Sequence, residues 1–124
     1  MKGLLLAAAL LMAPLPAWAM LAPQYYQQAR DEAPNVIVVH VVAVVYPEAP
    51  IGECKLATKV IAVERGQTYW VEQGVVMRVH CRRGNAEIPA GGTIWTDMAR
   101  LKPGIDARVF MKDGKPALDA FDIL

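Results

Sequence analysis

The 124 residues contain no serine, so no serine nucleophile and no Ser-His-Asp triad can be assembled from this chain. Histidine occurs twice, as His40 and His80, and cysteine twice, as Cys54 and Cys81. That supply leaves no C-x-x-C redox pair, no C-x-x-C-H haem attachment and no close-paired zinc spacing. A phosphate-binding glycine loop is missing too, since Gly91-Gly92 lacks the pattern that follows in such loops. Charge of one sign is not in excess: the formal net charge is +1. Without a net positive field the chain lacks the electrostatic footprint of non-specific nucleic-acid binding, and no nucleic-acid partner is expected.

What is present begins with a leader. Lys2 supplies a minimal positive start, Leu4–Met12 an apolar run, and Ala17-Trp18-Ala19 a small-x-small cleavage site before Met20. Residues 1–19 are read as a signal peptide, because the apolar run is short for a membrane span and is followed by Pro14 and Pro16. The expected location is periplasmic or secreted, and the product is not membrane-embedded once the leader is removed. No cysteine follows the cleavage site, so lipid attachment there is not expected. Removal takes away Lys2 and leaves 12 basic against 12 acidic side chains in residues 20–124.

The mature part divides into a short helical arm, 20–34, and a β domain, 35–124. Ala22, Tyr25, Tyr26, Ala29 and Ala33 fall at helical spacing, with Pro23 suited to a first turn and Pro34 ending the run. Asn35–Tyr46 is dense in β-branched residues at both parities, which predicts a strand covered on both faces. Two further strands, Cys54–Glu64 and Val75–Arg82, carry the two cysteines. In an exported protein these are expected to form a disulfide. The numbers of facing residues in an antiparallel pair sum to a constant: 135 for Cys54 and Cys81, against 131 for a tight turn at Arg65-Gly66 and 139 if the loop extends to Gly74. The bridge is therefore compatible with the register if Trp70–Gly74 holds a bulge or short excursion.

In the second of these strands Val75, Met77, Val79 and Cys81 share one parity and Arg78, His80 and Arg82 the other, which predicts a half-buried strand with Cys81 inward. In the first, a bulge near Thr58-Lys59 would reconcile Cys54, Leu56, Val60 and Ala62 with Ile61 and Val63 at the opposite parity. Thr93–Thr96 is a short strand candidate and Asp97–Leu101 one helical turn. The last unit is a hairpin on Asp113-Gly114, in which Val109 would face Leu118 and Arg108 would face Asp119. Pro116 places the final strand at an edge or turns its nitrogen outward.

The expected fold is all-β: a single small antiparallel barrel of about five strands, with a short N-terminal helix and one disulfide. The segments VIVVHVVAVV, KVIAVERG, GVVMRVHC, GGTIW and LKPG followed by ARVFMKDG, in that order, resemble a small exported OB-type barrel over most of residues 35–123. Secreted inhibitors with a netrin-like barrel are similar in outline. This chain lacks their cysteine at the mature N-terminus and their several bridges, so no inhibitory residue is carried over.

Few chemistries survive. A Cys81 nucleophile with His80 as base fails because adjacent strand residues point to opposite faces and an oxidised sulfur is no nucleophile. An enzyme is not expected. Met77, Met98 and Met111 read as core filler rather than copper ligands, and no cofactor is expected. The leading expectation is a non-enzymatic binding or accessory module that recognises a protein or an anionic glycan. It would do so through Arg78, His80 and Arg82 on one outward face, with Tyr69, Trp70 and Trp95 from flanking segments. In the plainer reading these arginines are paired to Glu53, Glu64, Glu72 or Glu87, and Trp70 and Trp95 close the barrel ends. The alternative function is metal handling by His40 and His80 with one or both thiols.

Overall fold

The computed structural model describes residues 22–124, so the expected leader lies outside the described residues. Helix α1 spans Pro23–Glu32, with the proline in its first turn as the sequence reading requires. Six strands follow: β1 Asn35–Val45, β2 Ile51–Arg65, β3 Gly74–Arg82, β4 Thr96–Asp97, β5 Asp106–Lys112 and β6 Lys115–Ile123. They form one sheet in the order β4-β3-β2-β1-β5-β6, curled into a half-barrel. The protein is thus mostly β with one short helix and one bridge. The sixth strand is the two-residue β4, which pairs with β3 in parallel at Cys81 and Arg82, so the sheet is not wholly antiparallel.

The core lies inside the curl, where Ile37, Val39, Val41, Leu56, Val60, Met77, Leu101, Val109 and Met111 pack together. Burying side chains of this size contributes about 1.5 to 3 kcal/mol each, before the entropy of ordering them is subtracted. Thr58 is inward and buried, and its hydroxyl donates to the Val75 carbonyl at 2.7 Å. The change of face in β2 therefore comes later than Thr58-Lys59. Val38 pairs with Ala62 and Val39 with Val60, which leaves Ile61 as the extra residue of a bulge and returns Val63 to the core. Strand β1 is covered on both faces only over its first half, Asn35–Val39. Beyond it Val42 is 57% exposed.

The disulfide joins Cys54 on β2 to Cys81 on β3, with Cα atoms 5.9 Å apart. The ladder pairs Cys54 with Val79 and Gly52 with Cys81, so the cysteines are diagonal neighbours on the inner face. At the far end of this hairpin the chain makes the expected excursion. Glu72 takes a left-handed φ of 79°, and Val60 exchanges backbone hydrogen bonds with Glu72 and Gln73. Gly66 opens that loop at φ 90°, where a Cβ would collide with Asn35 Oδ1 and the Pro34 carbonyl.

Helix α1 docks by the side that carries Tyr26, Ala29 and Arg30, and leaves Gln24, Gln27, Gln28, Asp31 and Glu32 exposed. Arg30 pairs with Asp122 on β6 at 2.7 Å and lies 5.5 Å over the Phe110 ring. The Tyr26 hydroxyl donates to the Gly92 carbonyl, while Arg65 reaches the carbonyls of Arg30, Asp31 and Ala33 at the helix end. The Tyr25 and Tyr26 stripe does not plug the barrel, since no residue of the helix itself is buried.

The final hairpin holds the predicted register only next to its turn, where Lys112 faces Lys115 and Met111 faces Pro116. Beyond it Val109 faces Phe121 and Arg108 faces Asp122, not Leu118 and Asp119. The shift arises because Leu118 and Asp119 both adopt left-handed φ, 43° and 57°, and bulge out of the ladder. Leu118 is not a residue type that visits this region freely, so the bulge stores strain of about 1 to 2 kcal/mol.

Candidate functional site

The curl brings the two ends of the sheet together. Four antiparallel pairings separate β3 from β6, so the two strands run parallel where they approach. No backbone ladder joins them among the described residues; a side-chain clasp does. His80 Nδ1 donates to Asp119 Oδ1 at 2.7 Å, and Asp119 Oδ2 accepts from the Ile94 backbone N–H at 3.1 Å. The carboxylate fixes the ring by its Nδ1–H, leaving Nε2 as the other functional atom of the imidazole. Trp95 packs edge-on against that imidazole, with centroids 5.3 Å apart and planes at 69°.

Asp119 reaches His80 because the bulge releases it from the ladder. The sequence reading gave Asp119 to Arg108, and the structure pairs Arg108 with Glu64 instead, by two hydrogen bonds of 2.6 and 3.1 Å. That contact lowers the Glu64 carboxyl below its ordinary value and raises the Arg108 guanidinium.

Beside the clasp lies a groove of about 820 Å³. One wall is the outer face of β2 and β3, with Glu53, Lys55, Val76 and Arg78. The other is the β5–β6 turn and the start of β6, with Lys115 and Leu118. Lys55, Arg78 and Lys115 have no carboxylate within ion-pair distance among the described residues. Asp119 is satisfied by His80 and the Ile94 amide, so Glu53 is the one uncommitted acid in the lining. The groove is a cationic slot with apolar edges.

Only part of the candidate set meets here. Arg78 and His80 line the groove, and Trp95 packs against His80. Arg82 is half-buried and its guanidinium donates to the Ala86 carbonyl, holding the next loop. Tyr69 packs against the core, and burial raises its phenol. Trp70 is 63% exposed, so it does not close a barrel end. It sits by the Gly74 end of β3, six residues from His80, or roughly 20 Å along the strand. The aromatic loop and the basic face are therefore separate surfaces. The proposed arginine pairings also differ, since Glu64 holds Arg108 and Glu72 holds Lys59.

The metal set is dispersed. His40 binds Asp106 at 2.7 Å, and the thiols are oxidised. His40 faces Lys59 and His80 faces Glu53, which are six residues or roughly 20 Å apart on β2. Among the described residues no group of three or more histidine, cysteine or acidic side chains is arranged to hold a metal ion.

Sequence reasoning missed Asp119, Lys55 and Lys115. Lys55 could have been found as the cross-strand neighbour of Arg78, since register alone pairs them. Asp119 could not, because the bulge that frees it has no glycine or asparagine to announce it. No family model matches the chain, and neither does any curated protein or solved structure.

Proposed function

We propose that this chain is an exported, non-enzymatic binding module that takes an acidic ligand, a protein segment or an anionic glycan, in the groove between β3 and β6. The observation that carries the reading is the convergence of Lys55, Arg78 and Lys115, from three strands, on one groove with a single uncommitted acid. On an otherwise neutral surface such a cluster sets both orientation and approach of a negative partner. The strand order β3-β2-β1-β5-β6, with β6 returning parallel beside β3, supports placing the half-barrel with OB-type folds, which bind ligands on strand faces and adjoining loops. The Cys54–Cys81 bridge and the leader pattern support a periplasmic or secreted location. The Tyr69–Trp70 loop, expected beforehand to share in this surface, is left out of it.

The test is retention on two immobilised probes at low salt, polygalacturonate and poly-glutamate. Wild type should be held by at least one, and Arg78→Glu with Lys115→Glu should weaken retention about tenfold or more, as charge reversal in such a slot does. Retention of the double variant equal to wild type would defeat the reading.

A further inference from the structure

We infer that the ligand of this groove is an extended acidic polypeptide segment, which adds as a strand to the free edge of β3. The inference rests on the reading above and narrows it to one class of partner and one mode of contact.

Three observations carry it. The edge of β3 that faces away from β2 is covered by β4 only at Cys81 and Arg82. From Val75 to His80 that edge makes no backbone hydrogen bond among the described residues. A row of open N–H and C=O groups is a template for another strand. The facing margin of β6 is not such a template: Pro116 has no N–H to give, and Leu118 and Asp119 turn out of line in the bulge. One margin of the groove is open and the other is blunted, so an incoming segment has one partner to choose.

The clasp decides where the segment lies. His80 and Asp119 bridge the gap at one end, and the groove also takes in Val76 and Lys115. The open length, Val75–Arg78, offers about 13 Å of edge, enough for about four residues at the pitch of a strand. A strand added there turns alternate side chains outward beside Val76 and Arg78 and the rest inward over Met77. Outward acids meet Arg78, Lys115 and the neighbouring Lys55, and inward apolar groups cover the gap. The expected segment therefore alternates acidic and apolar residues. An anionic glycan supplies the charge but no N–H and C=O row at this spacing.

The experiment uses the whole chain and three probes: a ten-residue peptide alternating Glu and Val, the same peptide N-methylated at alternate residues, and polygalacturonate. Binding is followed by calorimetry and by amide hydrogen exchange of β3. The plain peptide should bind and slow exchange of the free-edge amides within Val75–Arg78 by about tenfold or more, as newly paired amides are. The methylated peptide, which keeps the charge and loses the donors, should bind about tenfold more weakly or worse, and Arg78→Glu with Lys115→Glu should weaken the plain peptide similarly. Equal binding of both peptides, or protection elsewhere than β3, overturns strand addition. If polygalacturonate binds and neither peptide does, strand addition falls while the acidic-ligand reading stands. If none of the three binds, both fall.

Discussion

The two histidines are held by the same contact in two different settings. His40 and Asp106 are direct cross-strand partners in the β1–β5 ladder, and their side chains are 46% and 45% exposed. His80 and Asp119 meet at the same 2.7 Å across a seam with no ladder, with side chains 38% and 20% exposed and Trp95 and the Ile94 amide against them. In the first case the backbone already holds the strands together, so the His40–Asp106 contact adds little to what the ladder does. In the second the pair joins two strands between which no backbone ladder forms among the described residues, and it is more shielded from water. A side-chain contact thus has the importance of the connection it supplements, which its length does not reveal.

Removing the bridge would strain this contrast most. Cys54→Ala with Cys81→Ala releases a loop of 27 residues' separation and should cost roughly 3 to 4 kcal/mol in a urea titration on the chain-entropy model. Because Cys81 adjoins His80, amide exchange at the seam should rise before exchange in the β1–β5 ladder does. Equal acceleration in both regions would show that the seam is no weaker than the ladder.

Next in size, Asp119→Ala leaves the Ile94 amide and His80 without their acceptor and should cost about 2 kcal/mol, as loss of a partly buried charged acceptor does. The matched Asp106→Ala should cost less than about 1 kcal/mol, in keeping with an exposed pair. Thermal melts of the two variants side by side measure the difference directly. Equal losses would mean that the two settings are energetically alike.

The smallest effect concerns a third pair, Arg108 with Glu64. Arg108 holds the Glu64 carboxyl below its unfolded value, so this pair contributes stability above the usual carboxylate range and loses it as pH falls through the lowered value. Glu64→Gln should lower stability slightly at neutral pH and leave it unchanged well below the carboxylate range, which flattens the acid side of the profile; the effect is small because the pair is solvent-exposed and screened. Urea titrations of wild type and Glu64→Gln across the acid range measure this, and identical profiles would show that the pair contributes nothing.

Much of the frame was legible because it depends on local rules. The parity of Val75, Met77, Val79 and Cys81 identified the inner face of β3, and Asp113-Gly114 identified the last turn, since both follow from backbone geometry within a few residues. The site was less legible. Arg78 and His80 were found as an outward face, whereas Lys115 and Asp119 lie more than thirty residues away and reach it only by the curl of the sheet. Trp70 shows the reverse error, since a residue close in sequence to β3 stands at the far end of the strand.

The order of apolar and polar residues by itself determined the five longer strands, the helix, the turn and the pairing of the two cysteines, because each needs only periodicity, a few turn residues and the valence of sulfur; the short strand expected at Thr93–Thr96 instead forms only at Thr96–Asp97. The clasp between β3 and β6, the double left-handed bulge that supplies its acid, and the cationic groove beside it were decided by the tertiary structure alone. The accumulated twist of the strands sets which distant margins meet, and a bulge of two ordinary residues carries no signature outside the packing that stabilises it.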